Sequence, residues 1–482
     1  MKTINTKVVI IGAGITGLTT AYYLKKSGID AIVVEKSGKV GGVIQTMREN
    51  GFIYETGPNT GVLSQPETQE LINELDTGCQ LEIANEKAKK RWIWKKDKWE
   101  ALPSGLGSGI RTPLFTTRDK FRLLGEPFRK RGTNPDETLA NLVLRRMGKS
   151  FLDYAVDPFI LGIYSGDPSY LITRHALPKL YNLEQNYGSF IGGAIKKGFQ
   201  KKDQRAAMAT GQVFSVKGGL SNLINSLVSS IGMDRILLNF LNVAVNPENL
   251  KSDQIGNDLH SDSDYYQETP PVSIRYSTTG LLNNEPVRID SQYVIISTGS
   301  HEFPSLLPFV DKLQMQSLSN LEYAKVVQAT IGFKKWDGIQ LDAFGGLVPF
   351  KENRDILGIL FLSSFLSDRA PESGALLSVF MGGFRKPEVY DWTDDFITAI
   401  LEKELKSMTG ISEFKPDLLK ITRYSHAIPQ YGLSTGDRLK AAEMTQRLYP
   451  GLIIGGNMKN GIGMSDRIKQ GREMATMIIT RW

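Results

Sequence analysis

Three glycines near the start of the chain have a spacing that suits phosphate binding. The run Gly12-Ala13-Gly14-Ile15-Thr16-Gly17 follows an apolar β-branched stretch, Lys7 to Ile11, and opens a segment with helical periodicity, Ile15 to Lys26. In that setting each glycine has a task. Gly12 permits a tight turn, Gly14 lets the backbone approach a pyrophosphate, and Gly17 lets helix and strand pack closely. The helix start offers free N–H groups and the positive end of a dipole to the phosphates. Gly28 stops the helix, and Ala31 to Val34 reads as a second strand. Glu35 ends that strand, 18 residues after Gly17, with Lys36 beside it. A carboxylate there is placed for ribose hydroxyls. Residues 7–36 thus read as a strand–helix–strand unit that binds a dinucleotide. The fingerprint alone does not separate FAD from NAD.

No second catalytic constellation is visible. His175, His260, His301 and His426 are far apart, and no H-E-x-x-H spacing occurs. Cys79 is the only cysteine, so no disulfide can form within the chain and no cysteine-rich metal site is possible. A reducing, intracellular location is the simple reading. No Ser/His/Asp set and no paired carboxylates stand out. No catalytic side chain and no metal are therefore assigned. A hydrophobic content of 41% and a charged content of 23% suit a soluble globular chain. The apolar run Val8 to Leu24 is punctuated by Gly12, Gly14 and Gly17, and it reads as neither signal peptide nor membrane span. The net charge of +7 suits a basic surface, an anionic substrate or an anionic membrane. No nucleic-acid motif is present.

These residues need elements to position them. Residues 104–205 have helical spacing and few strand signals; between Arg111 and Arg131 seven basic residues face two acidic ones. Asn134-Pro135-Asp136-Glu137 predicts a helix start before Leu139. Residues 246–271 predict a long surface loop or hairpin tip. Tyr293 to Ser297 and Gly451 to Gly456 read as buried strands, and a final helix is expected over Asp466 to Ile479. Nucleotide-fold features at both ends predict an α/β protein with a discontinuous Rossmann-like domain. Its pieces would be 1–75, 206–300 and 433–482. An α+β substrate domain would comprise 76–103 and 301–432, with a helical insertion at 104–205.

The segment Gly41-Gly42-Val43-Ile44-Gln45-Thr46, then Gly51 to Gly57-Pro58-Asn59, resembles the amine oxidase and phytoene desaturase flavoprotein superfamily. So does the C-terminal stretch Gly455 to Met464. The resemblance implies FAD, held by Gly12 to Gly17, Glu35, Lys36, Gly41, Gly42, Val43, Gly57, Pro58, Asn59, Thr60, Val243, Thr298, Gly456, Ile462, Gly463 and Met464. With no cysteine near the C-terminal stretch, the FAD is expected to be noncovalent.

A narrower resemblance spans the whole chain. Ala101 to Gly105, Asn134 to Thr138, Leu161 to Ser169, Pro178 to Gln185, Phe344 to Pro349 and Ala427 to Tyr431 are similar to protoporphyrinogen oxidases. That family implies six-electron oxidation of protoporphyrinogen IX by dioxygen in haem synthesis. It also implies a propionate anchor at Arg91, whose guanidinium suits a carboxylate, and a macrocycle pocket walled by Phe344, Gly345, Leu347, Phe380 and Met381. The lysines around Arg91 would equally suit a solvated basic face. Segment 104–205 resembles the family's membrane-associating domain, so a cytoplasmic protein on the inner face of the membrane is expected. Ferrochelatase handover and a homodimer are compatible with this. Other readings stay open: coproporphyrinogen III oxidation by the same chemistry, an amine oxidase or carotenoid desaturase, and a noncatalytic FAD-binding carrier. Asn59 stands where several family members have arginine, and Gly346 replaces a larger polar residue.

Overall fold

The computed structural model describes every residue except 76–77, 89, 200–202, 249–273 and 482. His260 and most of the expected 246–271 loop lie outside the described residues; Asn246 to Glu248 end the strand Phe240–Glu248.

Five parallel strands form the central sheet. Their order is Ile236–Leu237, Ala31–Val34, Val8–Ile11, Tyr293–Ile296 and Leu452–Ile454. They come from three distant stretches of sequence. Their Val and Ile side chains are almost all buried because both faces are covered. Val8, Ile10, Val33 and Ile295 pack on the helices Ile15–Lys26, Ser221–Ile231 and Met464–Ile479. Val9, Ile11, Val34 and Ile296 face the opposite way, toward Phe240, Tyr276 and Ile289 of a four-stranded sheet. The period-2 alternation of strand side chains thus glues two layers onto one sheet.

A second large sheet has seven strands, in the order Leu418–Pro429, Tyr323–Phe333, Ala375–Gly382, Ile356–Phe361, Ala343–Leu347, Lys90–Lys95 and Lys98–Ala101. One face buries Val327, Ala329, Val379 and Met381 against the helix Asp394–Thr409. The other face meets Phe52, Tyr54 and Phe365. The protein is α/β, as the sequence predicts.

Short helices fill most of the stretch from Leu106 to Ala207. A buried ionic knot ties them. Arg146 is fully buried and pairs with Glu126 and, at 2.7 Å, with Glu184. Glu126 also accepts from the Ser189 hydroxyl at 2.6 Å and the Phe190 amide at 2.9 Å. Such a pair offsets its desolvation only because its remaining lone pairs are satisfied. A π-helical turn, Leu152–Val156, leads into the helix Asp157–Tyr164.

Two boundaries differ from the sequence reading. The helix expected at Asn134–Glu137 begins at Leu139, because Asn134 instead caps the Asp136 amide at 2.9 Å in a turn. Thr138 takes the N-cap, accepting from the Asn141 amide at 3.3 Å. The final helix begins at Met464, two residues before Asp466, because Gly463 occupies its N-cap.

Candidate dinucleotide site and substrate cleft

Three glycine turns nest at the edge of the parallel sheet. Gly12 has φ +104° and donates its amide to the Val34 carbonyl at 2.8 Å. A methyl group at Gly17 would overlap the Gly12 carbonyl oxygen, so no other residue fits without moving the helix. Gly14 is the N-cap of the helix Ile15–Lys26; no side chain caps it and no acid lies in its first turn. The space beyond the Gly14 α-carbon is open. Ala13 lends its carbonyl to the Gly41 amide at 2.8 Å, and Gly14 pairs with Gly41 in a parallel bridge. Gly42 follows at φ +58°, against the Gly14 α-carbon. Gly57 packs under the Val43 carbonyl and leads to Pro58, Asn59 and Thr60. Unfilled N–H donors, an open approach and a helix dipole are what a diphosphate requires.

Glu35 holds this cradle together. Its carboxylate accepts from the Ala13 amide at 2.8 Å and the Ser37 amide at 2.9 Å. A carboxylate offers roughly four lone-pair positions, so about two remain for ribose hydroxyls. Lys36 forms an ion pair with Glu302. Near Val243 the strand register jumps from Leu241 to Ala244, with Asn242 at φ +53°. This bulge leaves the Val243 backbone outside the regular ladder, where a ligand edge can reach it.

Thr298 lies between the first cradle and the closing loop. Its hydroxyl is buried and has no partner. A methyl group at Gly456, φ +83°, would overlap the Thr298 carbonyl. Ile462 and Gly463 then lead into the helix Met464–Ile479, whose N-cap has no side-chain bond. Asn59 is buried beside this region. Its Nδ2 donates to Ser378 Oγ at 3.2 Å, while its Oδ1 has no partner. Gln328 donates to the same Ser378 oxygen at 3.1 Å and to the Glu55 carbonyl at 3.1 Å. The Gly–Pro–Asn turn is therefore bolted to the seven-stranded sheet.

The candidate substrate residues gather on that sheet. Strand Lys90–Lys95 runs parallel to Ala343–Leu347 and sets Arg91 opposite Gly345. Arg91 is exposed and forms no ion pair among the described residues. Phe344 stacks on Phe365 with ring centroids 4.1 Å apart. Phe380 is half-buried, in register with Gly358 and Gln328. Met381 does not join them. Side chains alternate along a strand, and Met381 is fully buried on the opposite face with Val389 and Ile397.

Several site residues were not assigned from the sequence. The helix Asp157–Tyr164 exposes Phe159, Gly162 and Ile163, and a methyl group at Gly162 would lie 2.8 Å from Leu347 Cδ2. This helix face therefore stands across from the Phe344–Leu347 strand. The stretch Leu161 to Ser169 carried the narrow family resemblance, which was the available signal. Burial pushes the Asp157 carboxyl up despite its bond to Arg385 at 2.5 Å. His301 and His426, 125 residues apart, stack at 4.1 Å beside Tyr323; nothing in their spacing announces this contact.

An uncapped glycine cradle at the edge of a parallel sheet, with Glu35 bound to its turn, fits a dinucleotide-binding protein. Residues 15–479 match the flavin-containing amine oxidoreductases; the chain belongs to that family, and its cofactor is FAD. Among curated relatives, protoporphyrinogen oxidase 2 of Arabidopsis thaliana is 27% identical, covering 98% of this chain and 94% of its own. Coproporphyrinogen III oxidase of Bacillus subtilis is 26% identical, covering 98% of each chain. A crystal structure from Exiguobacterium sp. 255-15, described as a candidate protoporphyrinogen oxidase, superposes with a TM-score of 0.77 at 22% identity over 99% of each chain.

The close approach at Gly17 gives a direct prediction. Gly17→Ala forces the helix away from the Gly12 turn and should raise the FAD dissociation constant at least about tenfold, equivalent to ~1.4 kcal/mol. Bound-flavin absorbance in a titration measures it; an unchanged constant in the variant would contradict the cradle.

Proposed function

We propose that the protein oxidises protoporphyrinogen IX to protoporphyrin IX with dioxygen as acceptor, in haem biosynthesis. The name of the Arabidopsis thaliana relative, matched nearly end to end, supports this reading. The observation that carries it is the placement of Arg91 opposite Gly345, at the edge of the apolar surface that holds Phe344 and Phe380. A flat apolar macrocycle with anionic propionates matches that combination. The chemistry FAD supplies is two-electron oxidation, repeated three times, with hydrogen peroxide as by-product. The chain's own residues position the ring: Phe344, Leu347 and Phe380 on one side, and Phe159 and Ile163 across from them. Burying the ring there excludes water and orients its carbons. No side chain is assigned a proton.

Coproporphyrinogen III is the second reading, favoured by the Bacillus subtilis relative that matches nearly end to end. It carries four propionates rather than two. The flanking cations count against it: Lys90 is paired with Asp342 at 2.5 Å, and Lys95 donates to the Pro113 carbonyl at 2.6 Å. Among the described residues of this stretch, Arg91 is the guanidinium left to meet a carboxylate.

The short helices carry the second part of the proposal, peripheral binding to an anionic membrane. Ile110, Phe121, Leu124, Phe128 and Phe199 are strongly exposed, Phe128 to 90%. Arg111, Arg118, Arg129, Lys130, Lys196 and Lys197 stand among them. Lys120 ties the first two helices of this stretch through the Ile110 carbonyl, and Glu126 ties the helix Phe190–Gly198 through the Phe190 amide. No helix of the described residues is long and apolar enough to cross a membrane. An apolar face with a basic border suits the interface instead.

Three outcomes follow. FAD-loaded protein should produce porphyrin fluorescence faster from protoporphyrinogen IX than from coproporphyrinogen III. Arg91→Ala should raise KM about tenfold with a smaller change in kcat, as loss of one charged contact implies. The reverse substrate preference would select the second reading, and an unchanged KM would remove Arg91 from the site. Vesicles containing phosphatidylserine should co-sediment the protein at low salt, and Phe128→Ser with Phe199→Ser should abolish this. Sedimentation equal to that of neutral vesicles would contradict the membrane face.

A further inference from the structure

Three cations, Arg467, Arg438 and Lys459, stand around the closing loop, residues 455–463. Arg467, in the first turn of the helix Met464–Ile479, is only 7% exposed. Its guanidinium turns back onto the loop, donating to the Gly456 carbonyl and, at 2.7 Å, to the Lys459 carbonyl. A further bond runs to the Gln470 side-chain oxygen at 2.9 Å. All three acceptors are neutral, and the Arg467 Nε has no partner at all.

A second guanidinium lies behind the loop. Arg438 is fully buried and donates to Thr435 Oγ1 at 2.9 Å and Asn320 Oδ1 at 3.3 Å, again neutral groups. It stands beside Tyr431, whose hydroxyl donates to the Asn457 carbonyl at 2.7 Å and the Gly461 carbonyl at 3.1 Å. Lys459 adds a third cation. It lines a cavity of about 180 Å³ with Gln446, Glu473 and Arg481. None of Arg467, Arg438 and Lys459 forms an ion pair among the described residues; Glu473 pairs with Lys469 at 3.8 Å instead. Two carboxylates act on Arg467 electrostatically without pairing with it: Asp466, which accepts from Gln65 at 3.0 Å, and Glu473.

Burying a cation is costly unless the charges and hydrogen bonds around it compensate, and Arg467, touched only by neutral acceptors, is able to answer a further anion. The loop is placed for one. Gly456 packs on Thr298, Thr298 on Gly12, and the helix that carries Arg467 crosses the first helix with Gly471 close against Thr16. Two parts of FAD could bring the charge: its diphosphate, and its ring once reduced.

We propose that Arg467 is a positioning residue that braces the closing loop and holds a positive charge for which the bound FAD is the counter-charge. Its fork fixes Gly456 and Lys459 together, and its field acts through the loop rather than by contact with substrate. The inference rests on the FAD assignment and not on the identity of the porphyrinogen.

The test compares FAD-loaded wild-type protein with Arg467→Met and Arg467→Lys. The readouts are the FAD dissociation constant and the midpoint potential of the bound flavin. If the diphosphate is the counter-charge, Arg467→Met should bind FAD about tenfold more weakly. If the reduced ring is, its reduction equilibrium should fall about tenfold, which is ~30 mV for a two-electron couple. Arg467→Lys keeps the charge but cannot span both carbonyls, so it should lose clearly less than Arg467→Met in whichever readout moves. Both readouts unchanged in Arg467→Met would overturn the proposal. So would an equal loss in both variants, which makes Arg467 a brace alone. Should Arg467→Met not fold, Arg467→Gln carries the same expectations. Wild-type protein that binds no FAD would overturn the cofactor assignment as well, an outcome distinct from all of these.

Discussion

The first helix lies so close to the turn before it that the Gly17 α-carbon rests on the Gly12 carbonyl. Much else depends on that approach. It sets the helix Ile15–Lys26 against the parallel sheet and leaves its start uncapped at Gly14. It also sets where Ala13 can meet Glu35 and Gly41. From the other side, the helix Met464–Ile479 packs through Gly471 against the Thr16 carbonyl at 2.6 Å from a would-be methyl group. The two ends of the chain are thereby locked across one small area, and the closing loop is brought to the first turn. A bulkier residue at any of these contacts separates parts that must meet around one ligand.

The seven-stranded sheet joins that frame through polar contacts. Asn59, Ser378 and Gln328 bolt the Gly57–Thr60 turn to strand Ala375–Gly382. Tyr424 adds a hydrogen bond to the Thr56 carbonyl. These bolts set the separation of the two sheets. The helix Asp157–Tyr164 faces the strand Ala343–Leu347, and a glycine at 162 lets it sit against Leu347. Buried polar pairs are costly unless satisfied, yet they specify one docking geometry.

The central sheet was legible because its signals are local. Ile15–Lys26 and Ala31–Val34 appear where periodicity and glycine placement put them. Two parallel strands from remote sequence, Tyr293–Ile296 and Leu452–Ile454, were also readable as short buried Val/Ile runs. What the sequence hid depends on contacts across the fold. Met381 and Phe380 are neighbours in sequence, but strand alternation sends only Phe380 to the side of Ser378 and Gln328. Asn134 looked like a helix start because an Asn–Pro pair suits both a cap and a turn; tertiary pairing of Thr138 with Ile172 decided for the turn. Arg467 sits in an ordinary polar helix pattern, and only its fold back onto Gly456 shows that it is buried.

Function and fold meet at the boundary between the two sheets, so the decisive observation is electron transfer across it. FAD-loaded protein should be mixed without oxygen with protoporphyrinogen IX while the visible flavin band and porphyrin fluorescence are followed together. The account predicts that the band fades in step with rising fluorescence and returns when air is admitted. A flavin band that stays constant, with porphyrin forming no faster than in buffer, would contradict it.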